Sequence, residues 1–442
     1  MDLKGIKTRR IAITGIAGGG KTVFLTSLLS HLSEYDQGSE LMGNGVELES
    51  FYELPVIDRL SNQFPLERYR RLLSSGANWP DKTADHFNYS CEFERSDWRF
   101  FKQRLVFFDF PGERAADAAI AVFKDYKDWS KHSLDYYSQH PDYEVAVKDY
   151  FSYINKDNLD EKELIHNYKL MLAKLILGYK PLISPSCFLL DSNGRSAKPG
   201  TEEQIASLRY SGVGSGFEFA PLSEQLIRKH TAIASSMKRN YSIYRKEVAL
   251  PVFKRLCACD SIVVLIDIPS LLAGGVGRYN DNRQMLHDLF DVLRDDSWIG
   301  SKLLKVLKFW HPKLKRIAFV ASKADLVAVD DVYNDRLDSL LRQMSTRATR
   351  LLPGVDSGWF VCSACHSTRK GKKDNSLIGQ PVHGNPNHEE MEFEVSRLPE
   401  HWPAQWQSGE YKFYRVYPNA SGNIQIPPES FGLEGIMNFL LS

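Results

Sequence analysis

Long apolar runs are missing from this chain. No stretch reaches the roughly 18 uncharged apolar residues that a membrane-crossing helix needs. The most apolar run, Ile262 to Ile268, is strand length and contains Asp267. A secretory signal is not expected either: Lys4, Lys7, Arg9 and Arg10 pass straight into a strand-like run without an apolar signal core. A cytoplasmic location is the resulting expectation. Excess charge of either sign is absent, since 56 Lys and Arg face 55 Asp and Glu, a net of +1. That balance excludes a strong electrostatic case for whole-chain binding to nucleic acid or to anionic membrane. Gly (29) and Pro (20) are near average, which excludes wholesale disorder and a fibrous repeat. No internal repeat is apparent.

Cysteine is sparse: six residues, Cys91, Cys187, Cys257, Cys259, Cys362 and Cys365. Without an export signal this fits a reducing compartment rather than a disulfide framework. Cys362-Ser-Ala-Cys365-His366 matches a haem-attachment pattern, but that chemistry needs an exported chain. Cys257 and Cys259 precede a predicted strand, whereas Cys362 and Cys365 follow one. In a parallel sheet these are opposite edges, too far apart to share a zinc ion. Buried or strand-end thiols are expected.

What is present is an α/β pattern. Five continuous apolar runs read as buried strands: 10–16, 104–110, 261–267, 316–321 and 358–363. Helical spacing follows the first, with Val23, Phe24, Leu28, Leu29 and Leu32 on one face. Such strands separated by helical segments imply a mostly parallel sheet covered on both faces. At about 150 residues per domain, the length of 442 gives two to three domains. About 145 residues separate the second strand from the third, a gap too long for one crossover. Within it Asp160 and Glu163 form a capping-box pattern ahead of Leu164, Tyr168, Met171 and Leu175, and Gly178 and Pro181 end that helix. Amphipathic stretches also lie near 115–139 and 223–258. Residues 188–216 read as a loop, and 366–388 as a mobile surface segment. The expected organisation is a nucleotide-binding domain in two parts, 1–114 and 251–442, split by a mainly helical insertion over 115–250.

The strongest chemical signal is Gly15-Ile-Ala-Gly-Gly-Gly20-Lys21-Thr22, which fits G-x-x-x-x-G-K-[ST] between a strand and a helix. Gly18, Gly19 and Gly20 let backbone N–H groups turn inward around phosphate oxygens. The helix start, including the amide of Val23, adds its positive dipole end. Lys21 is the cation for the β- and γ-phosphates, and Thr22 offers a hydroxyl to Mg²⁺. Asp109-Phe-Pro-Gly112-Glu113 is the second signal. Asp109 ends a strand beside the phosphate loop, where its carboxylate is placed to hold Mg²⁺, and the Gly112 N–H is placed for a γ-phosphate. The third is Ser322-Lys323-Ala324-Asp325, close to the [NT]-K-x-D pattern of guanine-nucleotide proteins. There the Asp accepts hydrogen bonds from guanine N1–H and the 2-amino group, a donor pair adenine lacks. Lys323 would lay its stem along the base. Ser363-Ala364, after the next strand, matches the short loop that caps the base. Between the phosphate loop and Asp109, Thr83 in Trp79-Pro-Asp-Lys-Thr83 is the candidate switch threonine, completing the Mg²⁺ shell. Thr26 sits inside the helix and is the poorer candidate.

These blocks together resemble the YcjX family of bacterial stress-associated P-loop proteins. The resemblance runs through Ile13 to Ser27, Trp79 to Thr83, Asp109 to Glu113 with Asp128-Trp-Ser130, and Phe219-Ala-Pro-Leu222. It continues through Ile262 to Asp267, Ala321 to Asp325, and Leu433 to Leu440. The chain departs at Arg114, where the family often has Trp, and at Ser322, where Thr is usual. The resemblance implies a Ras-like P-loop NTPase domain with a helical insertion, binding of GTP or GDP with Mg²⁺, and slow GTP hydrolysis as a nucleotide switch. Family context also implies a protein partner, a membrane protein among the possibilities, and leaves the oligomeric state open.

Catalysis would rest on Lys21, Thr83 and Glu113. Ras-like enzymes often place Gln where Glu113 stands; a carboxylate beside a polyanion is repelled by it, so low turnover is expected. Arg114 is the nearest arginine to the reacting phosphates in sequence, although a solvated helix-start arginine is the blander reading. Two alternatives remain: an ATPase, which Ser322 permits, and a nucleotide-stabilised scaffold with negligible turnover, which Glu113 permits.

Overall fold

The computed structural model describes residues 5–15, 18–34, 46–55, 62–80, 87–98, 100–110, 112–140, 142–179, 183–192, 194, 200–211, 217–293, 314–383, 385 and 389–442. They fall into two compact units. The first holds Met1–Pro111, Ala258–Val276 and Pro312–Ser442; the second holds Gly112–Cys257 and Gly277–His311. Among the described residues no helix is long and apolar enough to cross a membrane.

The first unit is built on an eight-stranded sheet. Its strands are β1 (Gly5–Gly15), β2 (Leu48–Leu54), β3 (Asn62–Gln63), β4 (Phe87–Arg95), β5 (Phe101–Asp109), β6 (Ser261–Ile266), β7 (Arg316–Ala321) and β8 (Asp356–Val361). The order is β2-β4-β5-β1-β6-β7-β8, with β3 beside β4. The run β5-β1-β6-β7-β8 is parallel, whereas β2 and β4 pair antiparallel with each other, as do β4 and β5. The five parallel strands are the five apolar runs seen in the sequence; burial on both faces demands continuous apolar residues in β6, in β7 and at the end of β1, whereas β5 and β8 are buried less completely. In β6 every residue is buried.

Period-two alternation divides those residues between the faces. Ile11, Ile13, Val263, Leu265, Ala318 and Val320 form one core with Phe24, Leu25, Leu28 and Leu29 of the helix Lys21–Ser33. The helix Leu433–Leu441 adds Ile436, Met437 and Leu440 to it. On the other face Phe319 stacks on Trp359, with ring centroids 6.0 Å apart. The Trp359 indole N–H donates to Ser345 Oγ, in the helix Arg336–Thr349, at 2.8 Å. The fold is therefore α/β, with a mostly parallel central sheet flanked by helices, as a P-loop NTPase requires.

Residues 366–388 differ from expectation. β10 (Ser376–Gly379) pairs with both β9 (Arg369–Lys370) and β11 (Met391–Glu394) in a small antiparallel sheet. Buried Leu377 packs with Ala328 and Val395, which gives this polar stretch an apolar anchor.

The second unit is mainly helical. Its helices include Tyr126–Gln139, Glu144–Ile154, Glu161–Gly178, Thr231–Tyr244 and Leu250–Cys257. Aromatic rings fill its core: Phe219 lies 5.0 Å from Trp129, 5.3 Å from Tyr241 and 5.5 Å from Tyr244, measured between centroids. Asp160 caps Glu161–Gly178 by accepting from the amides of Lys162 and Glu163 at 2.9 and 3.0 Å. The box is not reciprocal. Tyr153 Oη accepts from the Asp160 N–H and donates to Glu163 Oε2. The stretch 188–216 is not all loop, since Thr201 and Gln204 form a full capping box on the short helix Glu202–Ala206.

The boundaries drawn from sequence also shift. Helix Ile268–Leu293 breaks at Gly275, whose φ of 85° and ψ of 172° are non-helical. Its residues from Gly277 onward group with the second unit, not with 251–442. A Cβ at Gly275 would lie 2.8 Å from the Ser408 amide nitrogen, so the break needs glycine on steric grounds too.

Candidate nucleotide-binding site

The phosphate loop leaves the C-terminal end of β1, which lies between β5 and β6. Gly15 has φ +141°, and a Cβ there would meet the Leu265 carbonyl oxygen of β6 at 2.2 Å. Only glycine lets the chain leave the sheet at this point. Gly20 closes the turn at φ +82° as N-cap of Lys21–Ser33, and no side chain caps that helix. Its first amides are thus presented as a phosphate-binding turn presents them. Gly18 (φ +86°) is exposed and Gly19 buried between them. Val23 is half-buried in the first helical turn. Lys21 Nζ donates to the Gly15 carbonyl at 3.4 Å, so the ammonium folds back over the loop it follows.

Thr22 and Asp109 are both buried. Asp109 ends β5 opposite Ile13 of β1, and the next amide, Phe110 N–H, donates to the Ile13 carbonyl at 2.9 Å. Its carboxylate therefore stands at the sheet edge from which the phosphate loop emerges. A hydroxyl and a carboxylate are the hard oxygen donors that suit Mg²⁺, which takes few protein ligands beside phosphate and water. Among the described residues no group of three or more His, Cys, Asp or Glu could hold a metal ion. Thr26 is spent inside the helix, where its hydroxyl donates to the Thr22 carbonyl at 2.7 Å.

The loops expected on the base side follow β6, β7 and β8. Lys323 sits in the left-handed region at φ 59°, and its Nζ lies 2.6 Å from Asp267 Oδ2. Asp267 also accepts from the Ser270 amide at 3.0 Å and hydroxyl at 2.6 Å. Burial alone would raise the Asp267 carboxyl, but Lys323 and Ser270 outweigh it and hold it below the ordinary value. A Cβ built on Gly20 would lie 4.0 Å from Lys323 Cε, so the base-side lysine runs past the phosphate loop. Asp325 is buried in a 3₁₀ turn, Ala324–Leu326. Its Oδ1 accepts from Ser363 Oγ at 2.8 Å, and its Oδ2 accepts from the Ser367 amide at 3.0 Å and hydroxyl at 2.6 Å. Ser363 is fixed in turn by exchanging both backbone hydrogen bonds with Phe431, at 3.1 and 3.0 Å. Ala364 is half-buried beside it against the core. The Ser322 hydroxyl is buried with no partner among the described residues.

One sheet edge thus gathers Gly15, Gly18, Gly19, Gly20, Lys21, Thr22, Asp109, Lys323, Asp325, Ser363 and Ala364 in the first unit. Thr83 lies outside the described residues. Gly112 and Glu113 open a 3₁₀ turn, Gly112–Asp117, in the second unit, and the Glu113 side chain also lies outside the described residues. Arg114 is not a solvated helix-start arginine. Its guanidinium donates to Ser186 Oγ at 3.1 Å and to Cys187 Sγ, and it lies 5.7 Å from the Tyr210 ring centroid. Burial works against its charge, but Cys187, Tyr244 and Asp117 outweigh it and keep it protonated. Neighbouring Asp117 is fully buried and accepts from Ser184, Ser186 and Tyr244.

Sequence reading missed Asp267, Ser270 and Ser367. Asp267 did carry a signal: like Asp109, it follows an apolar strand at the same sheet edge. None of the six cysteines forms a disulfide. Burial, aided by the Asp325 charge, raises the Cys362 thiol and pushes Cys365 up to about 12, so neither is a ready thiolate.

The chain is similar to a protein named Ras-like GTPase YcjX from Escherichia coli strain K12, 22% identical over 98% of this chain and 95% of that one. It is also similar to a protein of the same name from Shewanella oneidensis, 22% identical over 82% of this chain and 78% of the other. The family model covers β1 from Arg9, the phosphate loop, the loops after β6, β7 and β8 and the C-terminal helix: residues 9–442 match the YcjX-like family, DUF463, and the chain belongs to that family.

Proposed function

We propose that this chain binds GTP and GDP with Mg²⁺ at the edge of the first unit's sheet and hydrolyses GTP slowly, as a nucleotide switch. One observation carries the reading. The Lys323 side chain runs past Gly20, so a phosphate turn and a base-reading loop meet at one place. The names of the two relatives agree with it.

In this reading the amides from Gly18 to Val23 take the phosphate oxygens. Lys21 leaves the Gly15 carbonyl, a weak partner at 3.4 Å, for the β- and γ-phosphates. Mg²⁺, when bound, neutralises charge on those phosphates, and Thr22, Asp109 and the switch threonine Thr83 are the residues that would hold it. Lys323, pinned by Asp267, lies along the base, Asp325 supplies the carboxylate that reads guanine, and Ser363-Ala364 caps it. Glu113 would orient water poorly beside a polyanion. Arg114 is engaged by Ser186 and Cys187, and both features favour slow turnover. An ATPase is the second reading, favoured by the unpartnered Ser322 hydroxyl at the first position of the base motif.

Calorimetric titration of GTP, GDP and ATP into the full chain tests the proposal, with Asp325→Ala as control. GTP and GDP should bind more tightly than ATP, and the substitution should erase the difference. Equal binding of ATP by the unaltered chain would overturn the guanine assignment.

A further inference from the structure

We propose that Ser367 sets the base preference of this site by competing with guanine for Asp325; the proposal rests on the nucleotide reading above. An ionised carboxylate has about four lone-pair positions, two on each oxygen. Ser363 Oγ occupies one on Oδ1. The Ser367 amide and hydroxyl occupy both on Oδ2, at 3.0 and 2.6 Å. Guanine needs two acceptors, one for N1–H and one for the 2-amino group. Oδ1 has room for one of these donors, and Oδ2 has none. Guanine must therefore displace a donor from Oδ2. Adenine offers no such donor pair and displaces nothing, so Ser367 weakens guanine binding selectively.

Of the two Ser367 donors, the hydroxyl is the one that yields, because the backbone is held on both sides. The preceding residue, His366, donates its amide to the Glu429 carbonyl at 2.7 Å, and its carbonyl accepts from Asn419 Nδ2 at 3.1 Å. The following residue, Thr368, donates its hydroxyl to the Asp325 carbonyl. The amide stays on Oδ2, while the hydroxyl leaves by rotation about χ1. At 1% exposure that hydroxyl does not turn into bulk water, so its departure costs a hydrogen bond. Ser367→Ala removes the competitor beforehand. The Ser363 hydroxyl and the Ser367 amide stay on Asp325, and one position on Oδ2 opens for the base.

The test is calorimetric titration of GDP and of ADP, both with Mg²⁺, into the unaltered chain, Ser367→Ala and Ser367→Cys. Diphosphates avoid turnover during the measurement. Ser367→Ala should bind GDP about tenfold more tightly, the scale of one charge-assisted hydrogen bond, with ADP unchanged. Ser367→Cys, close in size with a weaker donor, should move the same way by less. Unchanged or weaker GDP binding in both variants, or equal tightening of GDP and ADP, would overturn the proposal. Asp325→Ala separates the two levels. If it leaves GDP affinity intact, the guanine reading itself fails. If it abolishes GDP affinity while Ser367→Ala does not tighten it, only the Ser367 proposal fails.

Discussion

Gly15→Ala and Gly18→Ala place the same methyl group in the same loop with different surroundings. At Gly15 the new Cβ would lie 2.2 Å from the Leu265 carbonyl oxygen and 2.9 Å from the Leu265 nitrogen. Both atoms belong to backbone in a fully buried strand, so no flexible side chain can yield. Relief means separating β1 from β6 by nearly 1 Å where Gly15 faces Leu265. Buried ladder hydrogen bonds are then lost at about 1–3 kcal/mol each, in addition to roughly 1–2 kcal/mol for a non-glycine residue at positive φ. The total is about 3–5 kcal/mol, equivalent to roughly 10 °C in melting temperature for a domain of this size. A Cβ at Gly18 meets no atom within 4 Å among the described residues, so only the positive φ, at about 1–2 kcal/mol, applies. Thermal melts without nucleotide, followed by far-ultraviolet circular dichroism, measure both. Equal melting temperatures for the two variants would refute the claim that the loop leaves the sheet against β6.

Two further perturbations address charge. Asp267→Asn keeps the shape of the buried side chain and removes the partner of Lys323, so GDP affinity should fall about tenfold on the scale of one charge-assisted bond. The Asp267 carboxyl is held below its ordinary value, so its contribution to stability is fully present above the unfolded value, about 4, and is lost as pH falls through the lower folded value. Urea titrations should show the variant weaker at pH 7 and converging with the unaltered chain in acid; a gap independent of pH would argue against the ion pair. Arg114→Ala removes the guanidinium from Ser186 and Cys187 beside buried Asp117 and should cost about 1–3 kcal/mol of stability, with GDP affinity unchanged. Retained melting temperature with weakened GDP binding would place Arg114 at the nucleotide instead.

Legibility in the sequence followed burial. β6, β7 and the end of β1 were plain because both their faces are buried, which leaves an unbroken apolar run, and β5 and β8 carry such runs although they are buried less completely. β2 was not, because Leu48–Leu54 includes Glu49, Ser50 and Glu53 and is half-exposed along its length. β4 escaped for a related reason: its buried positions, among them Tyr89, Cys91 and Phe93, alternate with Ser90 and Glu92. β9, β10 and β11 are two to four residues long, β9 and β11 are charged, and Leu377 of β10 is the buried apolar residue that anchors them. The Asp160 cap was read correctly in type but not in partners, since Tyr153 stands where a reciprocal Glu163 contact was expected.

The site divides the same way, and the division is physical. A phosphate loop is local: glycine torsions, a helix start and a lysine occur within eight residues, so spacing is enough to recognise it. Base recognition is a matter of lone pairs, and lone pairs are shared out by tertiary structure. Ser322-Lys323-Ala324-Asp325 reads identically whether or not Ser367, 42 residues away, occupies Oδ2. The Lys323 ammonium likewise needs Asp267, 56 residues earlier, to fix its position. A motif therefore names which side chain faces the base, while the acceptors it has left to offer depend on residues outside the motif. On the proposed reading Asp325 sets the preference for guanine, and Ser367, outside the motif, tunes it, because Asp325 keeps one open position where guanine asks for two.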